Sequence, residues 1–152
     1  MPDTSPDAPR PLRVVVVDAD DLVRQTVAAL LGIGGRVEVV GIAGQSGPAT
    51  DMVINARPDV VLVDPRLPDL DGGLAFIRRL HDVAPSVRVL VVCSPEFRDV
   101  AGKSEGVHGS LRKTFRPGDL TAAIVAASRA TLGAGDQGVP LLDSKPASQE
   151  PT

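Results

Sequence analysis

The chain has 152 residues, 43% apolar and 23% charged, with 15 Gly, 14 Pro, one Cys and a formal charge of −3. That length suits one domain with loose ends. A disulfide scaffold is excluded because Cys93 has no partner within the chain. A membrane span is excluded because the longest apolar runs, Val14–Val17 and Val89–Cys93, fall far short of the roughly 18–20 residues required.

Residues 1–11 hold four prolines and almost nothing apolar, and read as a disordered leader with no stretch a signal peptidase could use, which places the protein in the cytoplasm. Then β-branched runs alternate with helical patterns. The runs fall at Val14–Val17, Val37–Ile42, Val60–Val63 and Val87–Val92, with a weaker one at Val107–Leu111. The central runs are apolar at nearly every position, as strands covered on both faces should be. Helical stripes are formed by Val23, Val27, Leu30 and Leu31, then by Ala49, Met52, Val53 and Ala56. Two more follow in Leu74, Ile77, Leu80 and Ala84 and in Leu120, Ile124 and Ala127. Gly47-Pro48 and Pro117 stand where helices can begin. Residues 133–152, with Leu141-Leu142 as the one apolar pair, read as a tail. The alternation predicts an α/β fold: one doubly wound parallel sheet with helices on both faces, occupying residues 12–132.

Such sheets carry their ligands at the carboxyl ends of the strands. The first strand ends in Asp18, with Ala19, Asp20 and Asp21 behind it; the third ends in Asp64; the fourth ends in Cys93-Ser94; the fifth leads to Lys113. Neighbouring strands lie about 4.8 Å apart, so these groups can converge in one cleft. Crowded carboxylates repel one another unless a cation is present, and either Lys113 or a hard divalent metal would supply it.

Four stretches, RVVVVDADDLVRQTVAALL, RPDVVLVDPRLPDLDGGLAFIRRL, VRVLVVCS and HGSLRK, make residues 12–132 resemble a response-regulator receiver domain, nearest to those found ahead of DNA-binding helix-turn-helix domains. The second stretch is the most specific: an apolar strand, Asp64, a short loop with Pro68, then Asp71-Gly72. The resemblance implies five parallel strands in the flavodoxin-like order 2-1-3-4-5. It implies that Asp64 accepts a phosphoryl group from a histidine kinase and that Lys113 pairs with it. It further implies Mg²⁺ held by Asp18, Asp64 and the backbone carbonyl of Arg66.

The same resemblance exposes departures. The second acid of the metal-binding pair is Ala19, and Asp20, displaced by one residue, is its only candidate replacement. The hydroxyl position that meets the phosphoryl group is Cys93, a weaker donor. The aromatic switch position is Ser110. The fourth helix offers only Phe97, Val100 and Ala101 as an apolar face and is about two residues shorter than the family pattern. Losing one preorganised group from a reaction site typically costs on the order of 10²–10³ in rate, so Mg²⁺ and phosphoryl handling should be weakened.

The reading is therefore a non-enzymatic, stand-alone receiver acting through protein contact, with a histidine kinase or another response regulator as partner and the oligomeric state left open. A phosphorylation-independent pseudo-receiver is the alternative. A remote one is a haloacid-dehalogenase-like phosphatase with Asp18 as nucleophile and Asp20 as general acid, although Asp21-Leu22 stand where that signature expects Gly and Thr. The acidic balance, with no Trp or Tyr and three Phe, argues against direct nucleic-acid binding. His81 and His108 show no metal-ligand spacing, Arg78-Arg79 reads as a solvated helix face, and Cys93 as a small buried residue. The Gly-Lys-Ser at 102–104 lacks the earlier glycine of a phosphate loop.

Overall fold

A computed structural model describes residues 10–112 and 116–134. The expected leader and tail, along with Lys113, lie largely or wholly outside the described residues. Ten elements alternate in chain order: β1 (Leu12–Val17), α1 (Asp21–Leu31), β2 (Val37–Ala43), α2 (Ser46–Ala56), β3 (Val60–Val63), then α3 (Leu70–Val83), β4 (Arg88–Cys93), α4 (Pro95–Gly102), β5 (Gly109–Arg112) and α5 (Pro117–Ala134). The strands form one parallel sheet in the order β2-β1-β3-β4-β5. Fold class and strand order are those expected.

The pleat explains the two-sided cover. Along β1, Val15 and Val17 face one way and Val14 and Val16 the other, as a period of two requires. The first face packs on Ala49 and Val53 of α2, on Phe76, Ile77 and Leu80 of α3, and on Ala101 of α4. The second packs on Val27 and Leu31 of α1 and on Leu120, Ile124 and Ala127 of α5. β3 and β4, central in the sheet, are buried along their length apart from the half-buried Arg88.

The last strand needs correction. It was expected at 107–111 and runs instead from Gly109 to Arg112. Val107 is taken up by a turn, its amide donating to the Ser104 carbonyl, and Gly106 adopts a φ of 92°, which a strand residue cannot. Pairing begins at His108, whose amide donates to the Val89 carbonyl at 2.8 Å. His108 Nδ1 in turn accepts the Val89 amide at 3.0 Å, so this half-buried imidazole clips the edge strand to β4. The eroded α4 is eight residues long; it turns Ala101 fully inward and Phe97 part way, and the Val100 side chain lies outside the described ones. Arg78 and Arg79 are exposed, as a solvated face should be.

Candidate functional site

The ladder of hydrogen bonds continues one residue past the strand ends, and this positions the acidic pair. The Asp18 amide donates to the Ala43 carbonyl at 3.1 Å, and the Asp64 amide to the Val17 carbonyl at 3.0 Å. Val17 stands opposite Val63 in the parallel register, so Asp18 and Asp64 leave neighbouring strands side by side. Both are nearly sealed from solvent, at 7% and 4% exposure, which is unusual for ionisable side chains without built partners.

Each carboxylate has the same local partner. Asp18 Oδ1 accepts the amide of Asp20 at 2.9 Å, and Asp64 Oδ1 accepts the amide of Arg66 at 2.9 Å. These are two Asx turns, one at each strand end, and in each a backbone amide orients the carboxylate. Arg24, which sequence reasoning passed over, ties the first turn down. Its Nη1 donates to the Asp18 carbonyl at 2.9 Å and its Nη2 pairs with Asp21 Oδ1 at 2.6 Å.

Asp20, weighed above as a metal ligand, has a structural task of its own. It is the N-cap of α1, with Oδ1 accepting the Val23 amide at 3.0 Å. The cap uses one carboxylate oxygen of an exposed side chain, as the turns at Asp18 and Asp64 each use one of theirs. The sequence signal was available: an Asp immediately ahead of an apolar helical stripe is an N-cap signature.

Arg66 was singled out for its carbonyl, yet its side chain also reaches the site. The guanidinium Nε lies 3.9 Å from Asp64 Oδ1, and its carbon lies 5.1 Å from the centroid of the Phe97 ring on α4. Cys93, at the end of β4, is buried at 1% exposure. Ser110 on β5 is equally buried, and its hydroxyl has no hydrogen-bond partner among the described residues. Asp69 caps α3 by accepting the Gly72 amide at 2.8 Å, closing the loop that starts at Asp64 and contains the cis Leu67–Pro68 bond.

Two carboxylates and one backbone carbonyl make an all-oxygen donor set, which fits a magnesium ion that keeps several waters. Among the described residues no three His, Cys, Asp or Glu side chains gather into a fuller metal centre. A roomier groove of about 600 Å³ lies at the opposite, amino-end edge of the sheet, between Ile54, Arg57, Val83 and Arg88, and it gathers no such acidic pair.

A doubly wound parallel sheet with two buried aspartates on adjacent strand ends defines a class of acidic-pocket α/β modules. The family model for the response regulator receiver domain matches residues 14–125, and the chain belongs to that family, the receivers of two-component signalling. It is 39% identical over 94 residues to a protein-glutamate methylesterase/protein-glutamine glutaminase of Anaeromyxobacter dehalogenans, covering 62% of this chain and 25% of that protein. It is 33% identical over 123 residues to the response regulator MprA of Mycobacterium sp. strain KMS, covering 80% of this chain and 52% of that one. The chain thus spans a quarter to a half of the length of these curated relatives. A receiver domain protein from Clostridium thermocellum superposes with a TM-score of 0.69 at 26% identity, over 80% of this chain and 97% of that one. Among the described residues no helix is long and apolar enough to cross a membrane.

Proposed function

We propose that residues 12–132 form a receiver whose Asp64 accepts a phosphoryl group from the phosphohistidine of a kinase. A carboxylate oxygen attacks phosphorus, the imidazole leaves, and Asp64 becomes an acyl phosphate. Lys113 pairs with the transferred group, and Asp18, Asp64 and the Arg66 carbonyl hold Mg²⁺, which would neutralise charge on the phosphoryl oxygens. The single observation that carries the reading is the side-by-side burial of Asp18 and Asp64 in matching Asx turns. The pocket is weak, since Ala19 removes an oxygen ligand and Cys93 replaces a hydroxyl with a thiol. The protein turns over no substrate of its own. Its output passes through contact with the kinase or with another regulator, in the cytoplasm, without direct binding to nucleic acid.

A second reading, an interaction module that ignores phosphorylation, is favoured by one feature. Ser110 stands where a two-position aromatic would report the phosphoryl state, and its hydroxyl lies buried without a partner among the described residues. Two-dimensional NMR separates the two. Millimolar Mg²⁺ followed by beryllofluoride or a small phosphoryl donor should shift amides around Asp64 and along Gly109–Arg112, and Asp64→Asn should abolish the response. Silence at high metal and donor would leave the contact module.

A further inference from the structure

Arg66 sits between two things that the reaction site and the rest of the molecule need to connect. Its amide donates to Asp64 Oδ1, its Nε lies 3.9 Å from the same oxygen, and its guanidinium carbon lies over the Phe97 ring at 5.1 Å. Phe97 is half-buried and packs on the core face that includes Cys93 and Ala101. A guanidinium is planar and permanently charged, and it lies flat on an aromatic face while offering donors at its edge. The loop residue thus presents a fixed positive charge to Asp64 and places its guanidinium over the Phe97 ring of α4. The surroundings make that charge consequential, because residue 19, directly after Asp18, is Ala and brings no carboxylate to the pocket's rim. A divalent cation arriving at Asp64 meets one fewer carboxylate to attract it and one guanidinium already in place.

We propose that the Arg66 guanidinium, braced on the Phe97 ring, is a resident counter-ion for Asp64 that competes with a divalent cation and relays its arrival to α4. The inference rests on the acidic pair as the metal-holding site, and it does not require that Asp64 be phosphorylated. In the metal-free protein the guanidinium neutralises part of the carboxylate charge. When a cation binds Asp18 and Asp64, like-charge repulsion drives the guanidinium outward, its stacking on Phe97 changes, and α4 registers an event on β3 through a side chain outside the strand ends. That route needs neither a hydroxyl at Cys93 nor an aromatic at Ser110. Arg66 acts here as a positioning residue with a competing charge.

The test is a Mg²⁺ titration of the whole chain followed by two-dimensional NMR, reading the amides of Asp64 and Arg66 and the ring signals of Phe97. Arg66→Gln keeps the backbone donor and removes the charge. It should tighten Mg²⁺ binding by about two- to fivefold, the fold-change equivalent of a half-exposed ion pair. It should also make the Phe97 ring signals indifferent to Mg²⁺, whereas in the native chain they move in step with the Asp64 amide. Phe97→Leu should tighten binding by less. Ala19→Asp restores an acid at the rim and gives a stronger titration in which the same Arg66→Gln comparison is repeated. Unchanged or weaker Mg²⁺ affinity in Arg66→Gln, in either background, overturns the proposal, as does a Phe97 ring that stays silent while the native Asp64 amide saturates. Phosphoryl labelling of Asp64, measured separately by intact mass, decides the receiver reading, so the two can fail independently.

Discussion

Gly73, in the first turn of α3, lies close against the loop leaving Asp64, and replacing it with Ala is the sharpest test of how the site is built. A Cβ there would lie 1.4 Å from the Pro65 carbonyl oxygen, 2.3 Å from its carbon and 2.9 Å from its Cα. Non-bonded carbon contacts settle near 3.5 Å, so helix and loop must part by roughly 2 Å. Neither wall is a flexible side-chain end. Pro65 is buried backbone next to Asp64, and the Gly73 amide already donates to the Asp69 carbonyl at 2.9 Å. Overpacking that side chains can absorb costs about 1–3 kcal/mol, and a backbone-on-backbone clash belongs at the top of that range. The helix preference of Ala over Gly returns about 1 kcal/mol, leaving a net loss of about 2 kcal/mol. For a chain of this size that lowers Tm by roughly 4–8 °C. The control is Gly118→Ala in α5, where a Cβ meets nothing within 4 Å and stability should rise by about 0.4–1 kcal/mol. Thermal melts followed by circular dichroism would read both, with amide shifts at Asp64 and Arg66 reporting the displaced loop. A Gly73→Ala protein that melts at the native temperature refutes the close approach and, with it, the positioning of Asp64 by α3.

The remaining expectations follow from single contacts. Asp20→Ala removes the N-cap of α1 and should cost about 1 kcal/mol in urea denaturation while leaving the Mg²⁺ titration unchanged; a parallel loss of metal affinity would instead make Asp20 a ligand. Thr121 buries a hydroxyl that has no partner among the described residues, so Thr121→Val should stabilise by about 1 kcal/mol, and a loss of stability would disclose a missed partner. Burial first, then Arg88 and His81, hold the His108 imidazole below its ordinary value of 6.5. The unfolded chain therefore binds the proton more readily, and the stability His108 provides is full above that value and lost as pH falls through the lowered one. Denaturation midpoints compared at about pH 7.5 and about pH 5 should show this loss, and His108→Asn, which keeps an acceptor for the Val89 amide, should reduce it.

Much of the fold was legible because the strands that matter are buried on both faces. Val60–Val63 and Val89–Val92 are apolar without interruption, and no other element of ordinary length accommodates that pattern between turn signals. β5 was misplaced because the Val107–Leu111 run is only half apolar, and its start is set by a glycine turn and by a histidine that hydrogen-bonds back to β4. At the site, Asp18 and Asp64 were readable as strand-ending acids. The cap at Asp20 had a signature too, an Asp directly ahead of an apolar helical stripe. The Arg66 side chain had none: its reach to Asp64 and Phe97 depends on how a loop folds back over a helix thirty residues further on, which no local spacing encodes.

What the proposed pocket lacks and what it has differ in kind. Asp18 and Asp64 are held by strand register and by backbone amides, so their placement depends on the main chain more than on neighbouring side chains. On the reading proposed above, Ala19, Cys93 and Ser110 stand where groups would recruit a cation or answer a phosphoryl group. Any response left to the protein must then run through contacts that differ between its states, and their sum limits how far the equilibrium can move. If the Arg66 route is the main one, its half-exposed ion pair contributes about 0.2–1 kcal/mol and its contact with the Phe97 ring about 0.5–1 kcal/mol. Together these shift a two-state ratio by at most about thirtyfold. Inverting a population from 1:99 to 99:1 takes about 5.5 kcal/mol. A receiver wired this way biases a partner's choice by degrees, and a partner that binds one arrangement of α4 strongly must provide the remainder of the switch.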